Sequence, residues 1–309
     1  MYKRKFITYS ILILLVLFSG CNVHQSLKRN RAELNSELFS FDFTLENKTI
    51  GQRVHFLDSL GFAGVTCRVN SANDVLKLVE YQKEICSKTN NRLKIPAVFG
   101  GYNVQNRKSA IDLFKSVANQ LKGTKTAIWV IVNQPKNGIL DKNEVVSFFK
   151  EIAAYADKLK LSVVIYPHDK TYIESAKEAL WYVKETKCNN LFLSFHLCHE
   201  LRAGNANRMN EAIAEVAPYI KMASICGADS IMEDNTAPGY WYDAIKPLSK
   251  GNYDTSFFLE CLIKNGYRGP IALHTFGLKE PVNEHFSLSI DKWKEIKREV
   301  SVRLNKNEK

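Results

Sequence analysis

The chain has 309 residues, 45% of them hydrophobic and 24% charged, with 43 Lys and Arg against 32 Asp and Glu. That balance excludes a disordered, collagenous or disulfide-stapled chain and fits one large barrel or two medium domains. The lysines are spread along helical stretches such as 168–180, without Arg interleaved among aromatics; no nucleic-acid partner is expected, only a weak attraction to anionic lipid headgroups.

The first five residues, MYKRK, form a basic region, and 6–18 an apolar run too short to span a membrane comfortably. Phe18, Ser19, Gly20 and Cys21 follow. They resemble a bacterial lipobox, whose Cys is lipidated on sulfur before cleavage; Phe18 stands where Leu is commoner. Residues 1–20 are therefore expected to be a lipoprotein signal peptide and 21–37 a lipidated, polar tether. Residues 38–309 form the folded part. The expected location is the bacterial cell envelope, lipid-anchored, on the periplasmic side. The other cysteines, at 67, 86, 188, 198, 226 and 261, form no CxxC pair, and most read as small buried hydrophobes.

From Leu38 onward, short β-rich runs alternate with amphipathic stretches. The predicted strands are 38–45, 63–69, 93–100, 126–133, 161–168, 191–196, 220–227 and 269–277. Between them lie helical patterns such as 145–160, with apolar residues at three-and-four spacing and Asn73 and Asp141 as expected caps. Strands alternating with helices imply right-handed βαβ units, and eight of them close into an α/β (β/α)8 TIM barrel. In such a barrel the reactive end is where the strands finish.

Histidines mark that end. His168 finishes the fifth strand, His196 the sixth with His199 just beyond, and His274 lies near the end of the eighth. Strand alternation puts Val164, Tyr166 and His168 on one face, Ser194 with His196, and Ala272 with His274. Bulky Ile165, Phe195 and Leu273 take the opposite faces. The histidines are thus expected to surround one barrel mouth.

The stretches 166–180, 190–201, 245–254 and 266–277 together resemble the xylose-isomerase-like TIM-barrel family, and within it a branch of exported bacterial proteins described as sugar phosphate isomerases or epimerases. The resemblance covers everything after the tether. It implies one divalent metal held by Glu, Asp, His and Glu at the ends of strands five to eight. At the matching positions this chain has Tyr166, His196, Ser224 and His274, so no carboxylate remains for a hard cation. Two readings stay open. His168, His196, His199 and His274 bind a divalent metal such as Zn²⁺, Ni²⁺, Co²⁺ or Mn²⁺, or they work without metal, with His168 and His199 as base and acid.

The expected ligand is a free or oxidised (keto) sugar or glycoside, and the reaction is proton transfer next to its carbonyl: isomerisation, epimerisation, elimination or hydration. Asp42, Arg68, Tyr102, Asn133, Tyr166, Asp229 and Trp241 are the candidate sugar-binding residues on the rim. A non-catalytic sugar-binding lipoprotein that has lost the family's metal carboxylates is the alternative.

Overall fold

A computed structural model describes residues 36–230 and 241–306. The expected leader, Cys21 and the expected tether up to residue 35 lie outside the described residues, as do 231–240 and 307–309. Strands β1 (Leu38–Phe41), β2 (Gly64–Arg68), β3 (Ala97–Tyr102) and β4 (Ala127–Val132) are followed by β5 (Val163–Ile165), β6 (Leu191–His196), β7 (Ile220–Ile225) and β8 (Ile271–Leu273). They close into one barrel in chain order. Every pairing is parallel, and β8 closes on β1 with Phe39 beside Ala272.

The helices α1 (Ile50–Leu60), α2 (Ala72–Thr89), α3 (Arg107–Gln120), α4 (Lys142–Lys158) and α5 (Ala176–Thr186) follow the first five strands in turn. After β6 come α6 (Leu197–Arg202) and α7 (Met209–Val216), after β7 α8 (Trp241–Ala244) and α9 (Thr255–Lys264), and after β8 α10 (Val282–Lys306). Among the described residues no helix is long and apolar enough to cross a membrane.

Local chemistry sets the boundaries. A reciprocal capping box opens α1: Thr49 Oγ1 accepts from the Gln52 N–H while Gln52 Oε1 accepts from the Thr49 N–H. Such a cap contributes about 1 kcal/mol. Asp141 caps α4 as expected, accepting from the Asn143 N–H at 2.8 Å. The cap of α2 is Ser71, not Asn73: the Ser71 backbone is still extended and its hydroxyl accepts from the Asp74 N–H, while Asn73 lies inside the first turn. Strand β3 begins at Ala97 and not at 93, because Pro96 has no N–H to give the ladder. Strand β1 stops at Phe41, where Phe43–Leu45 winds into a 3₁₀ turn.

Strand parity decides what fills the barrel. Phe39, Phe41, Ala97, Phe99, Ala127, Trp129, Val164, Tyr166, Met222 and Ala272 form one buried interior cluster. Its upper layer is aromatic, with Phe41 against Phe99 at 5.1 Å and Trp129 against Tyr166 at 5.3 Å between ring centroids. An irregularity between Leu193 and Ser194 sets the β6–β7 register, so that His196 lies beside Ser224.

Candidate active site

His168, His196, His199 and His274 converge at the C-terminal ends of the strands. The rings of His168 and His199 are 4.2 Å apart between centroids, those of His196 and His199 5.5 Å, and those of His199 and His274 6.1 Å. His196, His199 and His274 are buried, and His168 is half-buried at the wall of a cavity of about 250 Å³. A void of that size suits a single small ligand.

One residue fixes two imidazoles in opposite forms. The Asp169 carbonyl lies 2.7 Å from His168 Nδ1. A carbonyl only accepts, so Nδ1 carries the proton and Nε2 keeps its lone pair. The Asp169 N–H donates to His199 Nδ1 at 3.3 Å, so His199 carries its proton on Nε2. That Nε2 is buried and has no hydrogen-bond partner among the described residues. Burial holds His168 below the usual imidazole range against the pull of the Asp169 carbonyl. Burial, with His168, His196 and His274 adding to it, holds His199 well below that range. Both rings are therefore neutral at neutral pH.

The positions where the resemblance puts metal ligands are knitted to one another. His196 Nε2 and Nδ1 lie 2.7 Å from Ser194 Oγ and 2.7 Å from Ser224 Oγ. Ser194 Oγ also donates to the Ile165 carbonyl, so it accepts from His196 Nε2–H, and Ser224 donates to Nδ1. Tyr166 stacks on His196 at 3.8 Å and is hydrogen-bonded to His274 Nε2 at 3.3 Å. Burial pushes the Tyr166 hydroxyl well above its usual range and His274 down to about 3, with His168 adding to the latter.

This set does not fit a hard divalent cation. It has no carboxylate, and both His196 nitrogens are taken. Among the described residues, the metal-ligating side chains that do come together, with ligand atoms within 4.8 Å of one another, are Cys198, His199 and His274. That trio would have to lose the His199 Nε2 proton and a Cys198 thiol proton that burial makes hard to remove.

The other rim residues divide. Arg68 and Asn133, expected on the rim at their strand ends, line the cavity with Tyr166, and so do Phe43, Asn70, Phe99, Ile131, Thr171 and Phe276. Gly101 leaves room for this wall, since a Cβ there would lie 2.6 Å from Asn133 Oδ1. Tyr102 does not face the mouth. It ends β3 on the outward side and packs against Phe114 and Phe148 of the helix layer. Asp42 also turns outward, into a separate cavity with Arg53 at 3.9 Å, where burial raises its carboxyl to about 6 against the attraction of Arg53. Asp229 is ion-paired with Lys246 at 2.6 Å and accepts from the Asn252 N–H, which pins the loop after β7. Trp241 packs edge-on to His199 at 5.5 Å and beside His168 at 5.8 Å. It walls the histidine pair instead of lining the cavity, while Tyr242 turns outward under Lys246.

A closed eight-stranded α/β barrel with a polar, histidine-lined mouth defines the class. Residues 55–296 match the model of the xylose isomerase-like TIM barrel family, and the chain belongs to that family. Similar solved structures include a 3-keto-D-glucoside 4-epimerase from E. coli, 14% identical, covering 84% of this chain and 100% of that one, at TM-score 0.65. A probable 3-DHS dehydratase of petrobactin synthesis from Bacillus anthracis is 14% identical, covering 82% and 97%, at TM-score 0.67. A family member from Mycobacterium smegmatis in complex with magnesium is 12% identical, covering 87% and 97%, at TM-score 0.61. No curated protein sequence matches the chain.

Proposed function

We propose that this protein is a sugar-processing enzyme that moves a proton next to the carbonyl of a free or keto sugar or glycoside, using histidines and no resident hard cation. The observation that carries the reading is the Asp169 backbone, which gives His168 a bare Nε2 and His199 an Nε2–H within one pair of touching rings. His168 Nε2 takes the proton from the carbon beside the carbonyl. The C–H electron pair becomes the C=C bond of the enol, and the carbonyl π pair moves onto oxygen. Arg68, which lines the cavity with His168, hydrogen-bonds to that oxygen as charge grows there, and His199, buried against His168 outside the cavity lining, supports the base from behind. Returning the proton to the other face of the same carbon gives epimerisation, to the neighbouring carbon isomerisation, and loss of a β-substituent gives elimination.

Arg68, Asn70 and Asn133 supply hydroxyl partners, and Phe43 and Phe276 an apolar platform for a ring face. The name of the E. coli neighbour, an epimerase of a 3-keto-glucoside, supports an oxidised glycoside as substrate. The lipobox-like sequence ending at Cys21 supports a lipid-anchored protein of the cell envelope. The reading is tested by incubating the protein with 3-keto-glucosides in D₂O and following the hydrogens beside the carbonyl by NMR. Exchange faster than in buffer is expected. Tight binding with no exchange at any carbon would favour a sugar-binding protein instead.

A further inference from the structure

The opposite end of the barrel carries a charge pattern that the mouth chemistry does not use. The loops entering the strands contain Arg92 and Lys94 before β3, Lys122 and Lys125 before β4, Lys160 before β5, Lys187 before β6 and Arg268 before β8, all exposed. No Asp or Glu occurs in the segments that join a helix to the following strand at this end. Glu37, Asp58, Asp157 and Glu185 border the face, and Asp58 is ion-paired with Arg92. Lys94, Lys122, Lys125, Lys160 and Lys187 have no carboxylate within 4.0 Å among the described residues. The loops leaving the strands, by contrast, mix both signs, with Asp42, Glu46, Asp169 and Glu174 among them.

We propose that this strand-entry face docks on an anionic phospholipid surface, so that the mouth points away from the membrane. Three features select a bilayer over a nucleic acid. The free charges are lysines, compact point charges suited to headgroup phosphates, whereas Arg92 is paired and Arg268 donates to the Ile263 carbonyl in the last turn of α9 and to the Tyr267 carbonyl of its own loop. They spread over the entry loops of four consecutive strands, β3 to β6, instead of following a groove with stacking aromatics. The polypeptide also enters the barrel here, at Glu37 just before β1, so the segment proposed to carry the lipid joins the fold on this side. An apolar cleft lined by Ile85, Leu93, Ile95 and Pro96 opens beside Lys94 and Lys125 and tolerates the headgroup boundary.

The barrel is closed and capped from Leu38 onward, within a unit that starts at Glu37, so the chain from Asn22 serves as a probe that lacks both leader and lipid. Its co-sedimentation is measured with phosphatidylglycerol-containing vesicles and with pure phosphatidylcholine vesicles, at low and high salt. Binding to the anionic vesicles alone, weakened by salt, is expected. Each Lys→Gln change at 94, 122 or 125 should lower the partition about fivefold, and the triple change about a hundredfold. Lys136→Gln with Lys170→Gln on the mouth face should leave it unaltered. Equal losses from both faces, no preference for anionic lipid, or loss of duplex-DNA binding by the triple variant with vesicles ignored would each overturn the proposal. Because the probe carries no lipid and no turnover is measured, such a failure would leave both the proposed anchor and the proposed chemistry standing.

Discussion

At the strand-exit end of the barrel, His196, His199 and His274 are buried and held neutral. At the strand-entry end, Lys94, Lys122, Lys125, Lys160 and Lys187 are exposed and without carboxylate partners among the described residues. The same strands serve both. Parity and burial turn one end into a dry pocket whose groups differ by where a single proton sits. Short loops turn the other into a wet surface whose charges act together on a large partner. A basic composition thus says little until the fold sorts it: five lysines that look evenly spread in sequence fall in the loops where helices hand over to strands.

The largest effect is expected at the mouth. His168→Gln should cut proton exchange by about 10²–10⁴-fold, the usual span of general base catalysis, with KM little changed. A loss under tenfold, or one confined to KM, would remove His168 from the chemistry.

Acidification should separate the two ends next. Histidines kept neutral by burial bind fewer protons folded than unfolded below about pH 6.5, so stability is full above that pH and falls as pH drops toward the folded values. Each contributes about 1.4 kcal/mol per pH unit in that window. His196, His199, His274 and His285, the last held at about 4 by burial, act in this sense. Asp42 and Glu200, raised by burial to about 6 and about 7, act in the opposite sense. The histidines outnumber the carboxyls, so the urea midpoint should fall between pH 6.5 and 5. A flat or rising midpoint would mean that the histidines are not dry.

The smallest effect is expected from the platform. Phe276→Ala should raise KM about five- to tenfold, in keeping with roughly 1 kcal/mol for an aromatic contact, and should leave kcat nearly intact. An unaltered KM would move the ring-stacking role away from Phe276.

Much of the barrel was legible because its hydrophobic pattern switches cleanly between strand and helix periods. All eight strands and the inward face of His196 and His274 follow from it. Parity carried past the strand ends would also have found Asn70, which follows Arg68, Phe43, which follows Phe41, and Phe276, which follows His274. Two of the misplacements share one cause. Tyr102 at the end of β3 and Asp42 just past β1 lie on the outward parity, and a polar residue there is ambiguous until its register is known. The feature that matters most had no signal in residue type, because Asp169 acts through its peptide group and not its carboxylate.

That feature is open to direct measurement. Histidine-selective ¹⁵N labelling, with His168→Gln and His199→Gln used to assign the signals, reports which ring nitrogen of each carries the proton. His168 should be protonated on Nδ1 and His199 on Nε2 at neutral pH, and both forms should persist below pH 6.5. Finding the two rings in the same tautomer, or His168 protonated on Nε2, would contradict it.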